Sequence, residues 1–332
     1  MKNGTLRVLG GLAALAIFLV IFPIALEHVG GGIALASRIL VLALFGLGVD
    51  LIFGFTGLLS FGQAAFYGTG GFVTGYLLIS KTVTSTVEAL AIGTLAAAVA
   101  GLLIGALSLR QVGVYFAMLT LAFAQMFFFL DDSALRNYTG GENGLPGVPR
   151  AEVFGFHFAS NNEAYVFIAI VYFIAFALMW LIVRSSFGHV LRAILENPER
   201  AAAAGHDVYI YKVVAFTIAA AYAGLAGGLL GLFQGYLPPD MFTIDTSGQI
   251  IVIEVIGGPG TLVGPLLGSI VWIYLSQVLQ NFSAIAGLWK LLLGIAFVLL
   301  ITGFRRGIAG GIMIWFQQLT ARRQPAGISG GD

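Results

Sequence analysis

Two acids stand inside strongly apolar stretches of this 332-residue chain, Asp50 within Ile39–Phe53 and Glu254 within Gln249–Ile256. A carboxylate away from water is costly, so such a group faces a wet cavity, meets a partner or holds a proton. Two readings follow. Either the pair belongs to a proton or substrate path, or both groups are neutral or bonded to backbone freed at nearby glycine breaks. Those breaks are Gly54-Phe55-Thr56-Gly57-Leu58-Leu59-Ser60-Phe61-Gly62-Gln63 and Gly257-Gly258-Pro259-Gly260-Thr261-Leu262-Val263-Gly264-Pro265. Polar groups cluster beside them: Thr56, Ser60, Gln63 and Tyr67 at the first, Gln249 before the second. A half-helix starting near Leu58 would turn free N–H groups and a positive dipole end toward an anion such as an amino acid carboxylate. For each polar residue taken singly, packing between helices is the plainer reading.

Catalytic chemistry finds little in the chain. There is no cysteine, which removes disulfides and thiol nucleophiles. His28, His157, His189 and His206 sit in expected loops or segment ends without metal-ligand spacing, and neither a Ser-His-Asp cluster nor an H-E-x-x-H helix is evident. No metal or cofactor is expected, and the chain reads as a non-enzyme. G-x-x-x-x-G-K-[ST] is also missing, so any ATP-driven work needs a nucleotide-binding partner. A net charge of +1 argues against nucleic acid as a ligand.

The elements that position these residues belong in lipid. Hydrophobic residues make up 59% of the chain and charged ones 9%, with mean hydropathy +0.97. A soluble domain carries about 25% charged residues, so too little polar side chain is present to cover a wet surface. Ten apolar segments can be drawn: Val8–Leu26, Ile39–Phe53, Leu58–Ile79, Val87–Leu109, Val112–Leu130, Ala164–Val183, Val213–Phe233, Gln249–Ile256, Thr261–Leu279 and Leu288–Phe304. The first could be a signal peptide, with Ala34-Leu35-Ala36 as the cleavage site, but its length favours an uncleaved helix. The fold class is therefore an all-α polytopic bundle with about 8–10 transmembrane segments, some broken or re-entrant. The 46 glycines suit close helix packing, with Gly101/Gly105, Gly224/Gly228, Gly227/Gly231 and Gly264/Gly268 each one turn apart.

Charge gives the threading. A cytoplasmic N-terminus puts Lys2, Arg7, Arg110, Arg305, Arg306, Arg322 and Arg323 inside, and the acid-rich loop 131–163 outside. It also puts inside the charged island Arg184–Lys212, RSSFGHVLRAILENPERAAAAGHDVYIYK, whose four cations face three acids. Residues 1–320 form one membrane domain, with 321–332 a flexible cytoplasmic tail, and both termini are cytoplasmic. A structured cytoplasmic island is best explained by a soluble partner. Asn197-Pro198-Glu199 reads as a helix start, the following alanines as its body and Gly205 as its C-cap. Paired Gly/Pro breaks in the two halves point to a transporter's binding region, with an ordinary tight turn between antiparallel helices the alternative at each.

Three stretches resemble one family. Gly46–Phe72, GLGVDLIFGFTGLLSFGQAAFYGTGGF, is similar to the early signature of the branched-chain amino acid permeases of ATP-binding-cassette (ABC) importers. Leu195–Gly231 resembles the coupling loop and next helix of the LivM-type subunit, and Ser247–Gly268 its late Gly-Gly-x-Gly-Thr-Leu-x-Gly-Pro motif. The resemblance implies a second homologous permease, two cytoplasmic ATPase subunits, a periplasmic substrate-binding protein and a bacterial inner membrane. It also implies that a Leu195–Gly205 helix enters a groove of an ATPase through Glu196, Asn197, Glu199 and Arg200, with Gly205 ending it. Asp50, Thr56, Ser60, Gln63, Tyr67, Gln249 and Glu254 are then the candidate path residues. Family members often carry His at the position of Gln63 and Glu at that of Gln249, and an apolar residue is expected where Glu254 stands. A urea or short-amide importer is the nearest alternative within the class, and a proton-coupled carrier using Asp50 and Glu254 the alternative outside it.

Overall fold

The computed structural model describes residues 2–28, 32–150, 152–153, 156–157, 160–281, 288–303 and 307–311. Each of the ten apolar segments contributes a helix. The first five elements are α1 (Lys2–His28), α2 (Ile33–Phe53), α3 (Gln63–Ile79), α4 (Thr86–Ser108) and α5 (Val114–Asp132). A short turn, α6 (Arg136–Thr139), leads into an irregular loop before α7 (Asn161–Arg184). Two amphiphilic pieces follow, α8 (Ser186–Glu196) and α9 (Pro198–Ala203), and then α10 (Val208–Gln234). The chain closes with α11 (Ile244–Gly257), α12 (Gly264–Asn281) and α13 (Trp289–Gly303). The expected tail, with Arg305, Arg306, Arg322 and Arg323, lies outside the described residues.

Six of these helices, α1, α2, α4, α5, α7 and α10, are individually long and apolar enough to cross a bilayer. Each is a run of Leu, Ile, Ala, Val and Phe whose backbone bonds are satisfied within the helix, as lipid demands. The protein is thus an all-α polytopic membrane protein. α10 is its hub, packing on α2, α3 and α4, and α2 is almost wholly enclosed. Glycine makes that closeness possible. Gly70 of α3 and Gly224 of α10 bring backbone against backbone, and a side chain on either would overlap the other helix or Ala97 of α4. Tyrosine hydroxyls then tie helices across lipid-depth surfaces: Tyr165 donates to the Leu19 carbonyl at 2.6 Å and Tyr222 to that of Ala175 at 2.7 Å.

The shorter helices behave differently. α11 has 14 residues, a length of about 21 Å at 1.5 Å per residue, which cannot span a hydrocarbon layer of about 30 Å. It starts part-way down the bundle. Leu237, Met241, Phe242 and then Ser247 pack in turn against Gly75, Gly71, Gly68 and Ala64, descending α3 toward its N-terminus. Phe242 stacks on Phe72 at 5.3 Å along this descent. Opposite this re-entry, at the other end of the bundle, lie both glycine breaks, the turn between α4 and α5, and the α8–α9 pair.

Candidate functional site

Asp50 stands on the last turn of α2, and its Oδ1 accepts the Gly260 N–H at 2.6 Å. Glu254 on α11 brings its carboxyl within hydrogen-bonding reach of the same side chain. Both residues are fully buried. Among the described residues, Asp50 Oδ2 and both Glu254 oxygens receive no N–H or hydroxyl donor. Two carboxyl groups so enclosed repel if both are charged; one proton held between them removes the repulsion and supplies the missing donor. Gly54 closes over this spot, where any side chain would overlap Asp50 Oδ1 and the Gly260 backbone. The two breaks, some two hundred residues apart in the chain, therefore meet at one carboxyl-lined junction between α2 and the α11–α12 turn.

The other polar residues of the first break serve its own backbone. Thr56 donates to the Leu51 carbonyl at 2.8 Å, taking up an acceptor freed where α2 ends. Ser60 Oγ accepts the Gly62 N–H at 3.2 Å, and Thr120 of α5 accepts the Phe61 N–H at 3.3 Å. A helix start near Leu58 is the sequence expectation; α3 instead begins at Gln63, and Ser247 of α11 accepts the Ala64 N–H at 3.0 Å. The start of α3 is thus capped by side chains from α5 and α11, which sequence reading did not single out. Gln63 is different. It is fully buried, and among the described residues neither end of its amide has a partner. Tyr67, one turn further on, stacks on Phe45 with ring centres 4.7 Å apart. Gln249 is half-buried on α11, between Ser247 and Glu254.

The charged island is two helices rather than one running from Leu195 to Gly205. α8 ends at Glu196, Asn197 is extended (φ −160°, ψ 103°), and α9 starts at Pro198. Proline disfavours a helical residue before it, which forces the separation. The Asn197 side chain caps α9 by accepting the Arg200 N–H at 3.0 Å. After α9 the chain turns through Gly205 at φ +90°. Glu196, Glu199 and Arg200 are exposed. The inner face of α8 rests on the first break: Leu195 approaches Gly57, and the Arg192 guanidinium lies 5.1 Å from the Phe55 ring centre. Phe55 and Arg192 are contacts that no motif announced.

Over residues 32–318 the chain matches the family described as branched-chain amino acid transport system, permease component. It belongs to that family. It is 28% identical over 297 residues to the high-affinity branched-chain amino acid transport system permease protein LivM of Escherichia coli K12, covering 82% of this chain and 68% of that protein. Its likeness to the Salmonella typhimurium LivM is 26% over the same length and shares. The LivH permease of Salmonella typhimurium is 26% identical over 260 residues, 74% of this chain and 83% of that one. The permease is thus LivM-type, as the three quoted stretches implied. No solved structure matches.

Proposed function

We propose that this chain is one permease subunit of an ABC importer in a bacterial inner membrane, with both termini cytoplasmic. It forms part of the path by which a branched-chain or related amino acid moves inward. A second homologous permease completes the path, a periplasmic binding protein delivers substrate, and two ATPase subunits dock on α8 and α9. Residues 1–320 act as one membrane domain. Glu196, Asn197, Glu199, Arg200 and Gly205 make or shape the ATPase contact.

The observation that carries this reading is the seat of α8 on the first break. Leu195 against Gly57 and Arg192 over Phe55 give a displacement of α8 a direct mechanical route to the backbone from which α3 starts. The non-helical stretch is the compliant part, because it lacks the ladder of bonds that stiffens a helix. Gln63 and Tyr67 at the start of α3, with Gln249 of α11, are the proposed path residues. Thr56, Ser60, Asp50 and Glu254 hold its frame.

The test is uptake in proteoliposomes holding the complete importer. Glu199→Arg combined with Gly205→Trp should leave ATP hydrolysis in place and cut uptake about tenfold or more. Normal uptake by that double variant refutes the coupling role. The substrate is tested apart, by screening the binding protein against leucine, isoleucine, valine, urea and short amides. The buried carboxyl pair favours a second reading, a proton-coupled carrier, which requires uptake that survives ATP depletion and stops with an uncoupler.

A further inference from the structure

A second site lies beneath the α8–α9 pair. There the first break, the α4–α5 turn, α9 and the first turns of α10 enclose a cavity of about 240 Å3. Leu58, Leu109 and Ile194 form an apolar side, while Gln111 and Lys212 bring polar groups to the same space. Lys212 is half-buried, and among the described residues its ammonium has no ion pair or hydrogen bond. Asp207, the acid that starts α10, has its Oδ1 engaged by the Ile210 N–H at 3.1 Å. An ammonium partly removed from water with no counter-anion favours whatever anion can reach it. The apolar wall selects an anion carrying an aliphatic tail. A cavity of this size admits a molecule as large as a branched aliphatic amino acid and little more.

Its walls belong to two bodies. Ile194, Leu195 and Pro198 come from the α8–α9 pair, and the remaining lining comes from the bundle. An occupant would hold these bodies at a fixed separation, at the joint where α8 has to move against the first break. We propose that this cavity binds the carboxylate of an aliphatic amino acid entering from the α8 side, and that occupancy slows transport as product accumulates. The inference rests on the importer reading above, but concerns a site separate from the path.

The test has a binding arm and a transport arm. Equilibrium dialysis of the full-length chain in detergent with radiolabelled leucine should show binding. Leucinamide, which lacks the carboxylate, should compete at least tenfold more weakly, and Lys212→Met should weaken binding about tenfold or more while Lys212→Arg largely restores it. In proteoliposomes of the complete importer, leucine loaded on the α8 side should slow uptake, and Lys212→Met should need about ten times more internal leucine for the same effect. Leucinamide competing as well as leucine, inorganic phosphate displacing leucine at equal concentration, or Lys212→Met being inhibited like the parent each overturns the proposal. Leucine binding with no leucine import would sink the transported substrate and leave this site standing. Loss of both would sink both.

Discussion

Replacing Asp50 by alanine and by asparagine separates two accounts of the buried acid. Its carboxyl does two things: it accepts the Gly260 N–H at 2.6 Å, and it meets the Glu254 carboxyl. Asp50→Ala leaves a buried N–H without an acceptor and a buried carboxyl without its neighbour. Each orphan costs about 1–3 kcal/mol, so the loss should fall at roughly 2–6 kcal/mol. Asp50→Asn keeps an oxygen for Gly260 and offers an amide N–H to Glu254 in place of the shared proton. It should stay within about 1 kcal/mol of the parent. Thermal unfolding of the full chain in detergent, followed by tryptophan fluorescence, reads the difference. At roughly 2–4 °C per kcal/mol, the alanine variant should melt about 5–20 °C below the asparagine variant. Uptake should follow the same order, because the pair frames the path. Equal melting of the two variants would refute the junction argument. Intact melting of both variants with uptake lost in both would move the pair to the proton-carrier reading.

Two further outcomes follow from packing and capping. Gly70→Val puts a branched side chain where α3 lies backbone to backbone against Gly224, so the variant should show little folded protein by size-exclusion chromatography after solubilisation, while Gly10→Val, at a site with nothing nearby, should behave as the parent. Asn197→Ala removes the cap that accepts the Arg200 N–H and should destabilise α9 by about 1 kcal/mol, visible as faster hydrogen exchange over residues 198–203 with the transmembrane helices unchanged.

The membrane helices were legible because a run of apolar residues about twenty long has few other fates, and every drawn segment contributed a helix. The island was legible from charge. Its split was legible too, in the Asn197-Pro198 pair, but reading Pro198 only as a helix start overlooked what it does to the residue before it. Contacts at long range were not. Nothing in the spacing of Asp50 and Glu254 says that their carboxyls meet, because α2 and α11 are far apart in the chain and come together only in the packed bundle, directly and through α12. The start of α3 was misjudged for a related reason: Leu58 and Leu59 continue the apolar pattern, but Thr120 and Ser247 reward a non-helical path there by taking its free N–H groups.

Which polar residues are free to act depends on the bonds they already make. Backbone without helical bonds at membrane depth needs acceptors and donors from elsewhere, and each one supplied by a side chain removes that side chain from contact with a solute. At the first break Thr56 is bonded to Leu51, Ser60 to Gly62, and Asp50 to Gly260 across the junction. Their polarity is explained by the breaks themselves. Gln63 is not so explained: it is enclosed, both ends of its amide are unpartnered among the described residues, and a hydrophobic residue would leave fewer buried polar atoms unsatisfied. A buried amide kept at such a cost is the strongest pointer in the first break to a group whose partner arrives from outside the chain. The start of α3 also lies one short non-helical stretch from Gly57, where α8 bears on the break. A shift of α8 would therefore pass along the break through Ser60, which is locked to the backbone, to Gln63, whose amide is not, which makes the amide the natural place for solute contact and ATPase motion to be linked.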